Sequence, residues 1–364
     1  MTLVERFVEP SEIDAVLEFF RLYWGSNHIL GNDREYMVWQ MSPERSPVFA
    51  GAGLAAVTYW DDGRLVGLIG VQSMPFNCDG DVADSAWLCN LGAAPEYLPR
   101  GVGTKLMTAV HRLPIAGIGA AGINLAVIPM YRAMRYHCLD SLPRFIRIVD
   151  VDSAACLIGG ERARDVLVHR DSAKAGGTTS VRESSSVPDD WQIFWDGYTR
   201  RGYFGTQRDA GFIVWRYLQH PRLDYRLAVA RDDAGVLVGA SVYRIEQVRN
   251  RSEKLLRVLE IIAASDDVWD ALLAHVEEIG VAHGVAFADH YSSRPHVVAL
   301  RQRGWYEEDD HRDLITPSLF QPWLQHKRRI NLAVRLIGAT PWKGRAWKEN
   351  LHVVKSDGDQ DRPS

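Results

Sequence analysis

The chain has 364 residues, 46% of them hydrophobic and 24% charged, with a formal net charge of −4. That length suggests two domains, each with room for its own core, and the composition is ordinary for a globular protein. So small a negative charge leaves no electrostatic footprint for nucleic acid or an anionic membrane surface.

The longest apolar runs, such as Ile115 to Pro129, are too short and too rich in glycine to span a bilayer. Met1 to Arg6 shows no basic n-region leading into an apolar core, so no signal peptide is expected. Cys78, Cys89, Cys138 and Cys156 lie far apart with no CxxC spacing. That argues against a zinc site or a disulfide framework and fits a reducing, cytoplasmic setting with no metal.

Val4 to Val8 reads as a strand. Ser11 is then placed to cap a helix whose apolar stripe is Ile13, Val16, Leu17, Phe20 and Leu22. A second helix is predicted over Arg34 to Met41. Leu54 to Trp60 and Leu65 to Met74 flank Asp61-Asp62-Gly63, a hairpin signal. Ser85 to Gly92 reads as another strand, followed by a loop and then a helix over Thr104 to Arg112. Gly122 to Ile128 is predicted as a buried strand, Met130 to Leu139 as a short helix, and Arg144 to Val151 as the closing strand of a first domain, 1–151.

The loop Leu98-Pro99-Arg100-Gly101-Val102-Gly103 carries the chemistry of this half. Glycines there allow a ligand to approach the backbone, and the first N–H groups of a helix have no internal partner. With the positive end of the helix dipole they suit a phosphate or pyrophosphate. The same glycines are also compatible with a plain tight turn. A dinucleotide-binding dehydrogenase fits poorly, because the loop follows a β-meander and not the first strand of a βαβ unit.

Residues 152–188 read as a linker, with Lys174 to Ser180 and Ser184 to Ser186 as its most flexible stretches. Beyond it the pattern returns. Asp62 to Gly67 has a counterpart in Ala234 to Gly239, and Gly122 to Leu125 in Gly284 to Phe287, so one fold is expected twice. Leu256 to Ala264 is the predicted strand of the second copy, and Asp267 to Gly280 its helix. Where the first copy has its glycines, the second has Ala264-Ser265-Asp266-Asp267, carboxylates that would repel a phosphate. The second domain is set at 189–320, on the acceptor side, with a C-terminal extension over 321–364.

The glycine loop and its flanks resemble the GNAT acyltransferase superfamily, whose signature is (Gln/Arg)-x-x-Gly-x-(Gly/Ala) between a strand and a helix. Leu98 departs from the first position, and Arg100 is the candidate to supply the missing polarity. Asn124 through Tyr131 is similar to the family's later motif, in which an Asn precedes a Tyr that protonates the departing thiolate. The resemblance implies an α/β (α+β) chain of two tandem GNAT-like domains, each a mixed, mostly antiparallel sheet flanked by helices, with the second degenerate. It implies coenzyme A, as acyl-CoA, held by Leu88, Cys89, Asn90, Leu91, Arg100, Gly101, Val102, Gly103, Thr104, Lys105 and Asn124. An acyl carrier protein is the alternative donor.

Phe204 to Asp209, Trp215 to Pro221 and Lys355 to Pro363 further resemble two-lobed N-acyltransferases that modify dTDP-linked amino-dideoxyhexoses for surface polysaccharides. That implies a nucleotide-linked amino sugar bound through Arg208, Asp209, Trp215, Arg216, Asp359, Gln360 and Arg362. Arginines suit its pyrophosphate and an aromatic face its base. The same stretch also reads as a helix starting near Asp209 with Trp215 packed inward and both arginines solvated. The tail from Asp357 to Arg362 reads equally as a disordered end or as a segment docked near the site.

Acyl transfer to an amine needs a polarised carbonyl, a neutral amine and a proton for the leaving thiolate. Backbone N–H groups of Trp87 to Leu91 are candidates for the carbonyl, and Tyr131 for the sulfur. Asp289 and His290, at the predicted end of a strand over Val285 to Ala288, are candidates for the base. Tyr131 as a packed aromatic, and Asp289–His290 as an ordinary strand-end pair, are the alternatives. The expected chain is a cytoplasmic monomer whose two lobes imitate a dimer, acting on small molecules. Its alternatives are acetylation of another amine (an aminoglycoside or a peptide) and a non-catalytic sensor of coenzyme A or a nucleotide.

Overall fold

The computed structural model describes residues 3–159, 179–311, 314–318, 329–338 and 340–363. Among these residues two seven-stranded sheets form the framework, and a four-stranded sheet stitches them together. The first contains β1 (Val4–Val8), β2 (Leu54–Asp61), β3 (Arg64–Ser73), β6 (Ser85–Ala93), β7 (Gly117–Ala121), β17 (Leu332–Leu336) and β8 (His137–Leu139), in that spatial order. The second contains β10 (Ser180–Ser184), β12 (Arg226–Arg231), β13 (Leu237–Gln247), β14 (Lys254–Ala263), β15 (Phe287–Tyr291), β9 (Arg144–Ile148) and β16 (Tyr306–Glu307). In each, one neighbouring pair is parallel, β6 with β7 and β14 with β15, and the other pairs are antiparallel. The chain is therefore a mixed α/β protein in which one sheet design appears twice.

The repeat extends to single contacts. A Cβ on Gly67 of β3 would lie 2.4 Å from Val102 Cγ1, in the helix α4 (Val102–Val110). A Cβ on Gly239 of β13 would lie 2.5 Å from Val268 Cγ1, in the equivalent helix Asp266–Ala282. Leu106 and Leu272 follow one turn later at the same two glycines. A glycine on the strand lets the first turn of the helix pack directly on the sheet, and it is needed once per lobe.

The two lobes exchange strands. β9, expected to close the first domain, pairs with β15 from Phe287↔Ile148 to Tyr291↔Arg144 in the second sheet. β17, from the C-terminal extension, pairs with β7 from Leu332↔Ala121 to Leu336↔Gly117 in the first. A boundary after Val151 therefore does not separate the sheets. The stitching sheet joins β4 (Phe76–Cys78) and β5 (Asp81–Ala83) to β11 (Phe204–Thr206) and β18 (Leu351–His352).

Four local expectations change. The helix expected over Met130 to Leu139 spans only Ile128–Ala133, and His137–Leu139 is instead strand β8 at the edge of the first sheet. The strand expected over 122–128 lies at Gly117–Ala121, where Gly119 accepts the Trp87 indole with 2.6 Å between its would-be Cβ and the ring. Residues that small carry almost no hydrophobic pattern, so the larger Ile123 and Leu125 drew the strand downstream. Ser11 lies inside a turn over Pro10–Glu12, and Glu9 and Glu12 form the capping box ahead of α1 (Ile13–Tyr23). Residues Ser180–Ser184, expected in the linker, form edge strand β10 against β12. The stretch Lys174 to Thr178 lies outside the described residues.

Candidate active site

The site grows from a fork in the first sheet. β6 and β7 pair in parallel only from Ser85↔Gly117 to Leu88↔Ala120. Beyond Leu88, β6 stays with β3 while β7 ends at Ala121. Asn90 and Leu91 together face Ile69, a bulge that requires φ of +55° at Asn90. The two strands diverge there, and a cleft of about 680 Å³ opens between them.

One wall is the start of α4. Gly101, at φ +71°, is its N-cap and no side chain caps the helix. The first N–H groups, of Val102, Gly103 and Thr104, are therefore left for a ligand, at the positive end of the dipole. Gly103 lines the cleft, and a Cβ built on it would meet nothing within 4 Å. These features fit a pyrophosphate and satisfy the requirement for close backbone approach. The opposite wall carries Asn124, Met130 and Tyr131. Asn124 is not on a strand; its side chain accepts from Ala126 N at 3.0 Å and starts the turn leading into α5 (Ile128–Ala133).

Tyr131 is 3% exposed and lines the cleft. Burial, and then the charge of Asp359, push its phenol well above the ordinary tyrosine range, so it keeps its proton. Its ring packs edge-on to Tyr136 at 4.9 Å. The cleft thus brings together Leu88, Cys89, Asn90, Leu91, Gly101, Gly103, Thr104, Asn124 and Tyr131, with Asp359, Gln360 and Arg362 from the tail. Trp24 and His28 also line it, from the helical segment before β2. Neither residue sits in a recognisable motif, and their only signal was position after an amphipathic helix.

Several expected residues lie elsewhere. Arg100 turns away to Asp61 at 3.1 Å and stacks over Tyr97, so its charge is already matched. The Val102 side chain is fully buried against Gly67 and contributes only backbone, while Lys105 is exposed outside the cleft. Asp289 and His290 are not at a strand end. They lie inside β15, each 1% exposed, because β9 covers that strand. Asp289 is bound by Arg144 at 2.7 Å, and His290 Nδ1 lies 3.0 Å from the Val258 carbonyl. Burial also pulls the His290 pKa down. Neither lines the cleft, so neither is placed to take a proton from a bound amine.

Arg208 and Arg216 are also interior, 0% and 2% exposed. Arg208 donates to Glu260 at 2.5 Å and Asp357 at 2.9 Å. Arg216 donates to the Ser356 and Asp361 carbonyls at 3.1 and 3.0 Å. Both guanidiniums are taken up by the chain itself and are not available to a nucleotide. Asp209 caps the following helix (Ala210–Ile213), accepting from Phe212 N at 2.7 Å. Trp215 stacks on Trp39 at 5.1 Å beneath the Arg45 guanidinium.

What these arginines hold is the tail. His352 to Asp357 run past the second fork, where β14 and β15 part after Val258↔His290. Val354 bridges to Ser292, just beyond β15, and Glu260, on the free arm of β14, receives Arg208 and the Tyr217 hydroxyl. Gly358 then packs on Trp87, and Gln360 seats on Gly122, at the end of β7. The tail thus fills the fork of the second lobe and lends its last residues to the cleft of the first. Asp266 in the first turn of the second helix is engaged by His296 at 2.8 Å.

Residues 14–135 match the acetyltransferase (GNAT) family. No curated protein matches the sequence. Among solved structures, a GCN5-related N-acetyltransferase from Anabaena variabilis is similar over 93% of this chain and 73% of its own, with 12% identity and TM-score 0.60. A probable N-acyltransferase from Enterococcus faecalis covers 92% and 72%, with 10% identity and TM-score 0.57. The Saccharomyces cerevisiae N-myristoyltransferase, solved with myristoyl-CoA, covers 93% and 80%, with 9% identity and TM-score 0.54. At these identities the likeness is one of fold, and it extends across both lobes. With the family match in the first lobe it supports an acyltransferase. Among the described residues no helix is long and apolar enough to cross a membrane, and no group of three or more His, Cys, Asp or Glu side chains is placed to hold a metal.

Proposed function

We propose that this chain moves an acyl group from acyl-CoA to the amine of a dTDP-linked amino-dideoxyhexose, by direct attack of the amine on the thioester, in the cytoplasm. The observation that carries the transfer reading is that the uncapped N-terminus of α4 and the Tyr131 phenol open on one cleft. A pyrophosphate on the N–H groups of 102–104 would run the pantetheine arm along the free edge of β6. The thioester carbonyl would then meet backbone N–H groups of Cys89 to Leu91, and the sulfur Tyr131. Amine nitrogen and carbonyl carbon form a bond in a tetrahedral adduct, the nitrogen loses a proton, the C–S bond then breaks, and the thiolate takes a proton through the Tyr131 hydroxyl. The yeast relative bound to myristoyl-CoA supports an acyl-CoA as donor on this fold.

The sugar half of the reading rests on the resemblance in 204–209, 215–221 and 355–363, and on the tail from that resemblance reaching the cleft. It does not rest on Arg208 and Arg216, which the tail occupies. The test is incubation with acetyl-CoA and a panel of dTDP-linked amino-dideoxyhexoses, reading free thiol and the acylated mass. Thiol release with a peptide or aminoglycoside amine alone would keep the transfer and replace the acceptor. Acetyl-CoA binding by calorimetry with no thiol release from any amine would point to a sensor and overturn the enzymatic reading.

A further inference from the structure

We propose that Asp359, carried into the first lobe by the C-terminal tail, takes the proton from the attacking amine; this rests on the transfer reading above. Among the described residues, the ionisable side chains lining the cleft are His28, Cys89, Tyr131, Asp359 and Arg362. Arginine has no acceptor, and burial pushes Cys89 and Tyr131 upward, so both stay protonated and neutral. His28 accepts the Leu30 N–H on Nδ1 at 3.3 Å, so its neutral ring carries the proton on Nε2. Burial and then Arg362 hold its pKa down to about 4, which keeps that ring neutral. His28 therefore offers the cleft a donor. Asp359 is the remaining group able to accept a proton.

Its position is fixed from both sides. Asp357, two residues before, is clamped by Thr206 at 2.6 Å and Arg208 at 2.9 Å. Asp361, two residues after, is held by Tyr225 at 2.6 Å and Arg244 at 3.0 Å. Gln360 is pinned against Gly122, where a Cβ would come within 2.1 Å of its Oε1, and it donates to Asp359 Oδ1 at 2.7 Å. Arg362 Nη1 lies 3.4 Å from Oδ2. The carboxylate charge is felt by Tyr36 on α3 (Arg34–Gln40), Cys89 on β6 and Tyr131 on α5, and it raises the pKa of all three. Arg362 and His28 line the same cleft, and Arg216 and Asp361 act with Asp359 on Tyr36. A carboxylate clamped in place is the preorganised form that proton transfer favours.

The step balances without a further reagent. The bound ammonium gives one proton to Asp359, which passes it to solvent. The neutral nitrogen forms the C–N bond, and the tetrahedral adduct gives its second N–H proton to Asp359. The C–S bond then breaks, and that proton reaches the thiolate through the Tyr131 hydroxyl. The products are the amide, the free thiol and one released proton.

The experiment compares wild type with Asp359→Asn and Asp359→Ala, using acetyl-CoA and the amine that wild type turns over fastest. Calorimetry reads acetyl-CoA affinity, and thermal melting reports folding. Asp359→Asn should bind acetyl-CoA within about twofold of wild type while kcat falls about 10²- to 10³-fold. Its log kcat should lose the acidic limb of the pH profile, and added formate should restore part of the rate to Asp359→Ala. Loss of kcat with no change in the pH limb and no rescue would overturn the assignment in favour of a structural role. Wild-type-like kcat in folded Asp359→Asn would overturn it while leaving the transfer reading intact. Absence of thiol release from wild type with every amine would remove both.

Discussion

The guanidinium of Arg208 and the carboxylate of Asp357 meet at 2.9 Å with neither side chain exposed, although 149 residues separate them. Asp357 is also the residue whose other oxygen accepts the Thr206 hydroxyl at 2.6 Å, and Thr206 in turn accepts the Trp87 indole N–H at 2.9 Å. Trp87 belongs to β6, one residue before the last pair of the fork. The second lobe, the tail and the donor cleft are thus one hydrogen-bonded unit.

Arg208→Met should therefore destabilise the protein by about 3–5 kcal/mol, because it leaves Asp357 and Glu260 as buried charges without their partner. Denaturant unfolding would measure it. The same variant should lose transfer activity although it lies outside the cleft, since the tail that supplies Asp359 and Gln360 would no longer be held. A loss below about 1 kcal/mol would show that the tail is not anchored through this pair.

Gly103→Leu separates the fold from donor binding. The glycine lies in the first turn of α4 with a helical φ, so a larger residue should raise helix stability by up to about 1 kcal/mol. Its side chain would project into the cleft where nothing now lies within 4 Å. The expected result is an unchanged or higher melting temperature with acetyl-CoA affinity reduced at least tenfold, about 1.4 kcal/mol. Unchanged affinity would remove α4 from the donor site.

Tyr131→Phe keeps the edge-on packing against Tyr136 and deletes only the hydroxyl. The variant should fold normally and bind acetyl-CoA normally, with kcat lower by about 10²-fold. A donor whose thiol is a better leaving group should narrow the gap between variant and wild type. Equal sensitivity to both donors would mean that Tyr131 does not protonate the sulfur.

Acidification should act in two stages. Burial first, and nearby arginines second, hold His28 and His111 down to about 4 and His220 to about 3. The unfolded chain takes up these protons near pH 6.5 and the folded one does not, so stability falls as pH drops from about 6.5 towards 4. Asp361 and Glu260 move the other way from their burial. Burial alone would raise them, but Arg244, Arg257 and Arg216 for Asp361, and Arg208 and His352 for Glu260, leave both lowered. Their contribution is present above the ordinary carboxylate range and is lost as pH falls below about 4. Glu246, raised by burial, opposes this in part. Melting temperature against pH should show the first decline. Hydrogen exchange at 353–361 should show the tail loosening in the second, and a flat profile would contradict both.

Much of this site is legible in the sequence. The glycines of the α4 loop declare themselves through backbone chemistry that no other residue supplies, and Tyr131 follows at a family spacing. Tail residues 359–362 came from a resemblance, and only the structure shows them inside the first lobe. Arg100, Asp289 and His290 misled for one reason: each looked available because its partner was distant in sequence. Asp61, at the end of β2, takes Arg100 from the loop after β6, and Arg144 takes Asp289 by way of a strand exchanged between lobes. Small residues hid β7, since Gly117 to Ala121 have little pattern and derive their strand from Trp87 and Phe76 packing on them.

The sequence by itself determined what depends on neighbours along the chain: the twofold repeat, the hairpins, the phosphate-suited loop in one lobe and its acidic counterpart in the other. Only the tertiary structure decided which segments close each sheet and where the tail goes. Arg144 to Val151 reads as a strand and Leu332–Leu336 falls in the extension, and neither pattern carries an address. Their addresses are set by long-range register and by buried charges that require each other, such as Arg208 with Asp357 and Arg244 with Asp361. An unpaired charge in that interior would be too costly to leave, so the tail must dock there, and docking there completes the cleft of the first lobe, which no local pattern in the sequence announces.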